Sequence, residues 1–282
     1  MKKITALMLS SAMMLSLAAC GGSASTETVS SEAASSEAAS SEAVSTEEAA
    51  SADAAAVTTV NAGKLTMSTN AAFPPYEMVA DDGSFEGIDV EVAGAIAEKL
   101  GLELVVDDMD FDAALLAVQQ NKSDIVMAGV TVTDERQKVM DFSDTYAEGI
   151  QSIIVPEDSD IASADDLTGK AIGTQRGTTG YIYCTDDFGE DNVIAYDDGL
   201  TAVQALNNGQ VDAVVIDNAP AQEFVAANPG LKILDTAYAQ EDYAIGVAKG
   251  NTQLLDAING ALKELQDDGT LQAIVDKYIT AE

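Results

Sequence analysis

The chain has 282 residues, with 48 acidic side chains against 13 lysines and arginines and no histidine, which gives a formal net charge of −35 at pH 7. Because phosphate groups are held by basic surfaces, this charge argues against a nucleic-acid partner and against electrostatic docking on anionic lipid. The absence of histidine excludes a histidine-based catalytic triad and a histidine-ligated metal site. We predict no metal, no cofactor and no catalytic residue.

The N-terminus has the pattern of a secretory signal. Two lysines precede an apolar run from Ile4 to Ala19, and residues 17–20 read LAAC. This ending resembles a bacterial lipobox, which implies cleavage before Cys20 and a lipid on its sulfur. A transmembrane anchor is the alternative, but the run is short for a span of about 20 apolar residues. We therefore predict a signal peptide over residues 1–19 and an extracytoplasmic, lipid-anchored protein.

Residues 20–62 are predicted to be a tether that begins at the lipidated cysteine. A five-residue unit of Ser, Glu and Ala repeats here without any aromatic residue. Such a segment cannot bury enough apolar surface to fold alone, and its charges repel one another. A transient helix is the alternative, because Ala and Glu favour helix. Beyond the tether the only cysteine is Cys184, which we expect to be a small buried residue.

The globular part begins near residue 64 with an alternation of strands and helices. The patterns predict strands over residues 64–69, 102–106 and 124–129 and helices over 89–101 and 111–121. Apolar residues fall on one face of each helix, while the strands are short and apolar. This rhythm predicts an α/β fold with a largely parallel sheet.

A second run repeats the alternation and is followed by two further helices. Strands are predicted over residues 170–175 and 211–217, and helices over 178–187 and 199–209. The last segment, residues 251–279, is predicted to form two amphipathic helices, separated where a glycine and a threonine end one helix and start the next.

The two runs share a short internal similarity. Residues 117–129 can be aligned with residues 205–217, so that Asp124 matches Asp212 and Gly129 matches Asp217. Ligands of open α/β sheets bind at the carboxyl ends of strands. Two lobes built on one plan would therefore bring Gly129 and Asp217 to opposite sides of one cleft.

Five segments, in this order, resemble the polar amino acid-binding proteins of ABC importers, which are family 3 extracellular solute-binding proteins similar to the glutamine- and histidine-binding proteins. The resemblance covers nearly all of residues 63–280, and its most specific part combines the AGVTVTDER and DFSD sequences with GTTG downstream. The segments are TNAAFPPYE (69–77), FEGIDVEVAGAIAEKLG (85–101), MDFDAALLAVQQNKSDIVMAGVTVTDERQKVMDFSD (109–144), GTQRGTTG (173–180) and ALKELQDDGTLQAIVDKY (261–278).

The resemblance implies a two-lobed, periplasmic-binding-protein-like (type II) fold with the ligand cleft between the lobes. The chain would cross between the lobes near residues 145–150 and 239–243. Lobe 1 would then comprise residues 63–146 plus 243–282, and lobe 2 residues 151–238. The implied function is binding of a free L-amino acid by hinge closure, without catalysis. The implied partners are an ABC permease and its ATPase, and the protein is expected to be a monomer.

Arg136 matches the residue of this family that holds the ligand's α-carboxylate. It is one of only two arginines in the chain. A planar guanidinium suits a carboxylate because it can donate two parallel hydrogen bonds. From the residues alone, Arg136 could equally be a solvated side chain on a helix capped by Thr133.

The remaining site residues follow from the same resemblance. Thr131, Thr178 and Thr179 match contacts to the carboxylate, and the last two open a helix whose N-terminus suits an anion. Asp217, with the Gly129 carbonyl and the Thr131 hydroxyl, matches the acceptors for the α-ammonium. Asp217 could instead only cap the helix that follows it.

The side chain of the ligand is expected to meet Phe73 and Phe111, although ordinary core packing is the alternative for both rings. Asn70 stands where the glutamine- and histidine-binding members carry an acidic residue, which favours a neutral or polar ligand. Gln175 is a further candidate contact. Arg176 is expected at the cleft rim rather than against an acidic ligand.

Glu77 and Glu148 cannot be placed from the sequence. Because another acid could reach the ligand, a cationic amino acid or cystine remains an alternative. So does an enzyme of the same fold, similar to cyclohexadienyl dehydratase, and so does a sensory module that binds the same ligands.

Overall fold

The structure, a computed structural model, describes residues 57–279. It has two short 3-10 helices, at Ala164–Leu167 and Glu190–Asn192, and the strands and helices given next in chain order. They are β1 (Lys64–Thr69), β2 (Ala72–Phe73), β3 (Glu77–Val79), β4 (Phe85–Glu86), α1 (Ile88–Lys99), β5 (Glu103–Asp108), α2 (Phe111–Gln119), β6 (Ile125–Val126), α3 (Asp134–Gln137), β7 (Met140–Pro156), β8 (Ile172–Gln175), α4 (Thr179–Phe188), β9 (Val193–Tyr196), α5 (Gly199–Asn207), β10 (Ala213–Asp217), α6 (Asn218–Ala227), β11 (Leu231–Ile233), β12 (Ala239–Ala248), α7 (Thr252–Asp267) and α8 (Thr270–Tyr278).

Every strand and helix predicted in the two runs is present, with shifts of a few residues at some ends. Strand β1 has the predicted bounds, whereas β6 keeps only two of its six predicted residues. Gly101 follows the end of α1 with φ 68°, and Gly269 separates α7 from α8 with φ 81°. Both are left-handed conformations that glycine adopts without steric cost, which explains why these helices end there.

The main sheet has the strand order β5-β1-β6-β12-β7-β10-β8-β9, and β11 pairs with β7. Its two ends are parallel: β1 pairs with β5 and β6, and β8 with β9 and β10. Its middle is antiparallel, because the long strands β7 and β12 pair with each other and with β6 and β10. The expectation of a largely parallel sheet therefore holds only for the two ends. Strands β7 and β12 lie outside the two predicted runs.

The internal similarity of the two runs is also structural. Asp124 precedes β6, and its Oδ2 accepts a hydrogen bond from the Thr66 amide at 2.8 Å. Asp212 precedes β10, and its Oδ2 accepts one from the Ala171 amide at 2.9 Å. In both runs an aspartate thus anchors a strand to its parallel neighbour.

Apolar cores lie on both sides of the antiparallel middle. One packs α1, α7 and α8 against β1 and includes Leu65, Ile96 and Leu262. Another packs α5 and α6 against the other end of the sheet and includes Leu206 and Phe224. Burying one such side chain contributes about 1.5–3 kcal/mol. The buried Cys184 belongs to a third cluster, and burial raises the pKa of its thiol to about 12.

The predicted signal peptide, the lipidated Cys20 and most of the tether lie outside the described residues. Within residues 57–62, the Val60 amide donates to Asp124 Oδ1 at 2.7 Å, so the end of the predicted tether is held against the globular part. No helix between residues 57 and 279 is long and apolar enough to cross a membrane.

Candidate functional site

A cavity of about 440 Å³ opens where β6 and β10 end. All ten residues predicted to contact a ligand line it: Asn70, Phe73, Phe111, Gly129, Thr131, Arg136, Gln175, Thr178, Thr179 and Asp217. Glu77, which could not be placed from the sequence, also lines it. So do five residues absent from the prediction: Ala128, Gln151, Val215, Ile216 and Tyr243.

Arg136 is buried and fixed from several sides. Thr133 caps α3, its hydroxyl accepting from the Arg136 amide at 3.1 Å. The guanidinium donates through Nη1 to the Thr131 carbonyl at 2.8 Å and through Nη2 to the Gly177 carbonyl at 3.2 Å. It also lies 5.3 Å from the centre of the Phe111 ring. Arg136 therefore belongs to a capped helix start, but it is buried and lines the cavity, so the alternative of a solvated side chain is wrong.

The Arg136 guanidinium forms no salt bridge with any carboxylate in the part of the chain that the structure describes. Its two hydrogen bonds use only part of its five N–H donors, so donors remain for an anion in the cavity. Burial lowers the pKa of Arg136, and the nearby Glu241 carboxylate opposes that shift. A buried cation of this kind gains most from a paired anion.

The N-terminus of α4 faces the same cavity. Thr178 caps this helix by accepting from the Tyr181 amide at 3.3 Å, and its hydroxyl donates to the Gln175 carbonyl at 2.8 Å. Thr179 begins the helix, and its Oγ1 lies 3.4 Å from Oγ1 of Thr131. Free backbone N–H groups at such a terminus attract anions, so this end of the cavity suits a carboxylate.

Asp217 and Gly129 lie at the ends of equivalent strands and line the cavity together. Asp217 Oδ1 accepts from the Ala219 amide at 3.1 Å and so caps α6, while Oδ2 accepts from the Ile150 amide at 2.8 Å. Burial raises the pKa of Asp217 to about 6. Gly129 has φ 53°, and a Cβ there would lie 2.9 Å from the Phe73 ring. A side chain at residue 129 would therefore be strained and would crowd the site.

Asn70 and Gln175 are hydrogen-bonded to each other across the cavity. Gln175 Nε2 donates to Asn70 Oδ1 at 2.8 Å, and Asn70 Nδ2 donates to the Met109 carbonyl at 3.0 Å. The two residues are 105 positions apart. This amide pair joins the end of β1 to the end of β8, on opposite sides of the antiparallel middle.

The two predicted aromatic contacts differ in their surroundings. Phe73 is half-buried and stacks on Tyr76 with ring centres 5.9 Å apart. Tyr76 in turn packs edge-on against Tyr243 at 5.4 Å. Phe111 is buried beneath the Arg136 guanidinium. It therefore supports Arg136 as well as lining the cavity.

Glu77 is the main site residue that could not be placed from the sequence. It is 1% exposed, and neither of its side-chain oxygens has a hydrogen-bond donor among residues 57–279. The neighbouring Asp89 is fully buried and accepts from the Gly129 amide at 3.0 Å and the Tyr146 hydroxyl at 2.7 Å. Burial and the Asp89 carboxylate raise the pKa of Glu77 well above its usual value.

A second buried acid, Glu241, lies beside the cavity on β12. Its Oε2 accepts from the Thr131 hydroxyl at 3.1 Å and from Gln151 Nε2 at 3.0 Å. Neither Glu241 nor Gln151 could be found from sequence, because both lie on the long antiparallel strands. These contacts hold Thr131 in place.

The two other residues left open lie outside the cavity. Glu148 is exposed. Arg176 donates to the Ala195 carbonyl at 3.3 Å and pairs with Asp197 at 3.6 Å, with 55% of its side chain exposed. Arg176 is therefore not among the residues that line the cavity, and its expected place at the cleft rim stays a prediction.

Several known proteins are similar to this chain. The L-cystine-binding protein TcyJ of Escherichia coli K12 is 34% identical over 223 residues, which is 78% of this chain and 84% of that protein. The arginine-binding extracellular protein ArtP of Bacillus subtilis is 33% identical over 231 residues, which is 78% of this chain and 87% of that protein.

Solved structures agree with the fold. An ancestral arginine-binding protein bound to arginine has a TM-score of 0.73 at 43% identity, covering 77% of this chain and 98% of that one. A mutant of ArgBP from T. maritima has a TM-score of 0.74 at 39% identity, and the match covers 78% of this chain and 96% of that one. These neighbours confirm the two-lobed fold.

The family described as "Bacterial extracellular solute-binding proteins, family 3" matches residues 65–281. This match spans most of the chain and includes every residue that lines the cavity. The chain therefore belongs to the family 3 bacterial extracellular solute-binding proteins, which confirms the family predicted from sequence.

Proposed function

We propose that this protein binds a free L-amino acid with a cationic side chain and delivers it to an ABC importer. The observation that carries the choice of a cation is Glu77, a buried carboxyl that faces the cavity without a donor for either oxygen within residues 57–279. Burying such a group is costly unless it meets a cation or a hydrogen-bond donor.

The α-carboxylate of the ligand would bind between Arg136 and the N-terminus of α4. Arg136 has unused N–H donors, and no carboxylate of the described residues neutralises it by a salt bridge. Thr178 and Thr179 bring the helix terminus to the same place. A guanidinium and a helix terminus both favour an anion, and burial strengthens both interactions.

The α-ammonium would bind to Asp217, the Gly129 carbonyl and the Thr131 hydroxyl. Asp217 is 2% exposed and lines the cavity, although both its oxygens accept backbone hydrogen bonds. A carboxylate oxygen has two lone pairs, so each can accept a further bond. Capping α6 and binding the ammonium are therefore compatible roles.

The side chain would extend past Phe73 and Phe111 toward Glu77. The expectation of a neutral ligand rested on Asn70, but the Asn70 amide is already engaged by Gln175 and Met109. Glu77 is the lining group with unused acceptors. Relatives named as arginine-binding proteins support this choice.

A neutral ligand such as glutamine is the second candidate. The Asn70–Gln175 pair favours it, because two amides could exchange their mutual hydrogen bond for bonds to a ligand amide. A solved structure of an ancestral arginine-binding protein, 42% identical to this chain, is described as bound to glutamine. Cystine is a candidate ligand only because this chain is similar to the cystine-binding protein.

The remaining roles rest on the family. The relatives described above are named as binding proteins, so we propose no catalysis and no dehydratase activity. Membership of an extracellular solute-binding family supports an extracytoplasmic location. Lipid attachment at Cys20, a monomeric state, and hinge closure between lobe 1 (residues 63–146 plus 243–282) and lobe 2 (residues 151–238) are parts of the same proposal.

A thermal-shift screen of the full chain tests the proposal. The panel comprises arginine, lysine, ornithine, histidine, glutamine, cystine and the other common amino acids. A ligand that binds only the folded state adds about 2.7 kcal/mol of stability at a hundredfold excess over its Kd. We expect the largest shift with arginine. Shifts with neutral amino acids alone would overturn the cationic assignment, and no shift at all would overturn amino acid binding.

A further inference from the structure

We infer that Glu77 and Asp89 share one proton in the empty protein and that a cationic ligand side chain displaces it. This inference rests on the proposed function, since it requires a cation to enter the cavity beside Glu77. Binding of the cationic ligand would then release about one proton, whereas binding of a neutral ligand would release none.

Burial and the lack of a donor for Glu77 among residues 57–279 favour a shared proton. Glu77 on β3 is 1% exposed and Asp89 on α1 is fully buried, so both charges lose most of their solvation by water. With both groups ionised, neither Glu77 oxygen has a donor. The two carboxyls lie within hydrogen-bonding reach of each other, so a proton between them supplies the missing bond.

The titratable groups that act most strongly on the pair within residues 57–279 are carboxyls and phenols. Glu77 faces Asp89 and, farther away, Asp108 after β5, while Asp89 also faces Tyr146 of β7. Tyr76 lies next to both carboxyls. None of the ion pairs formed by lysines or arginines within residues 57–279 includes Glu77 or Asp89.

The donors present favour ionisation of Asp89 rather than Glu77. The Gly129 amide and the Tyr146 hydroxyl both donate to Asp89. Burial still raises the pKa of Asp89 to about 6, and it raises that of Glu77 further. Two adjacent buried carboxyls cannot both ionise at low cost, so Glu77 holds the proton.

A cation beside Glu77 reverses this balance. The ligand brings one positive charge, Glu77 loses its proton to solvent, and the net charge of the site is unchanged. As pH increases toward the value at which the empty pair ionises, the affinity for the cation should increase by as much as about tenfold per pH unit. Above that pH the affinity should become constant. A neutral side chain should show no such dependence.

Isothermal titration calorimetry measures the released protons directly. Arginine is titrated into the purified full chain at about pH 8, in two buffers with different ionisation enthalpies. This pH lies above the value of about 6 to which the Asp89 pKa is raised, so Asp89 is ionised and only the Glu77 proton is counted. The dependence of the heat on buffer gives the proton count. We expect about one proton released with arginine and none with citrulline, which has the same length but no charge.

Two variants locate the proton. Glu77→Gln keeps the shape of the side chain but cannot titrate, so arginine should bind about tenfold more weakly or worse and release no proton. Glu86→Gln is the matched control, because Glu86 lies on β4 of the same three-stranded sheet but is exposed. It should behave as the parent protein.

The outcomes separate this inference from the proposed function. Arginine binding with no proton release at about pH 8 overturns proton exchange and leaves the proposed function standing. Equal proton release by Glu77→Gln and the parent overturns the assignment to this pair. The absence of arginine binding at every pH overturns both. The parent protein alone decides the proton count if the variant does not fold.

Discussion

Replacing Arg136 by alanine tests the part of the site that every amino acid ligand would share. The guanidinium is 8% exposed and is held by two backbone carbonyls and the Phe111 ring. In the variant, the ligand carboxylate would be buried without its cation. Removing one partner of a buried charge pair costs about 3–5 kcal/mol, which corresponds to a loss of affinity of about two to four orders of magnitude. Calorimetry measures this loss with whichever amino acid the thermal-shift screen identifies.

The chain offers a matched control, because its only other arginine is Arg176. Arg176→Ala removes an exposed guanidinium whose contacts lie outside the cavity, so affinity should change less than about threefold. Arg136→Lys should recover only part of the loss, since an ammonium cannot donate two parallel hydrogen bonds. A folded Arg136→Ala protein that binds within tenfold of the parent would refute the assignment of the carboxylate.

Three further changes separate binding from stability. Asp217→Asn should weaken ligand binding and also lower stability by about 1–3 kcal/mol, because asparagine has a single acceptor oxygen for the two backbone amides that donate to Asp217; calorimetry and thermal melting together check this. Gly129→Ala should lower the melting temperature by several degrees, since φ 53° costs a non-glycine residue about 1–2 kcal/mol and the new Cβ meets Phe73. Glu77→Gln should stabilise the empty protein at alkaline pH. Folding raises the pKa of Glu77, so its carboxyl stabilises the folded protein below the pKa that it has in the unfolded chain. This contribution is lost as pH rises through the pKa of Glu77 in the folded protein. Melting temperatures of the parent and the variant across pH check which of the two is more stable at alkaline pH.

The predictions that held depend on local chemistry. Thr133 caps α3 and Thr178 caps α4, as side chains of this kind do wherever a helix begins beside them. The match of Asp124 with Asp212 held because each anchors a strand to its neighbour. Such features are encoded within a few residues, and so the sequence pattern reveals them.

The features that were missed depend on distant parts of the chain. Strand β7 runs from Met140 to Pro156 and changes partners along its length, so no single alternation of buried and exposed residues marks it. Glu77 lies in a three-residue strand, and whether its side chain faces solvent or the cavity depends on how α1 covers that strand. The Asn70–Gln175 hydrogen bond joins residues whose proximity exists only after folding.

These distant contacts decide what the cavity can distinguish. The charges of the ligand backbone would be matched by Arg136 and Asp217, and these two charges cancel. The remaining charge of the cavity is then set by Glu77 together with Asp89. With the proton on Glu77, the carboxyl that faces the ligand side chain is neutral and suits a neutral side chain, whereas an ionised Glu77 suits a cation. The proton on this pair, rather than the net charge of −35 carried by the whole chain, would therefore control the choice between the two ligand classes.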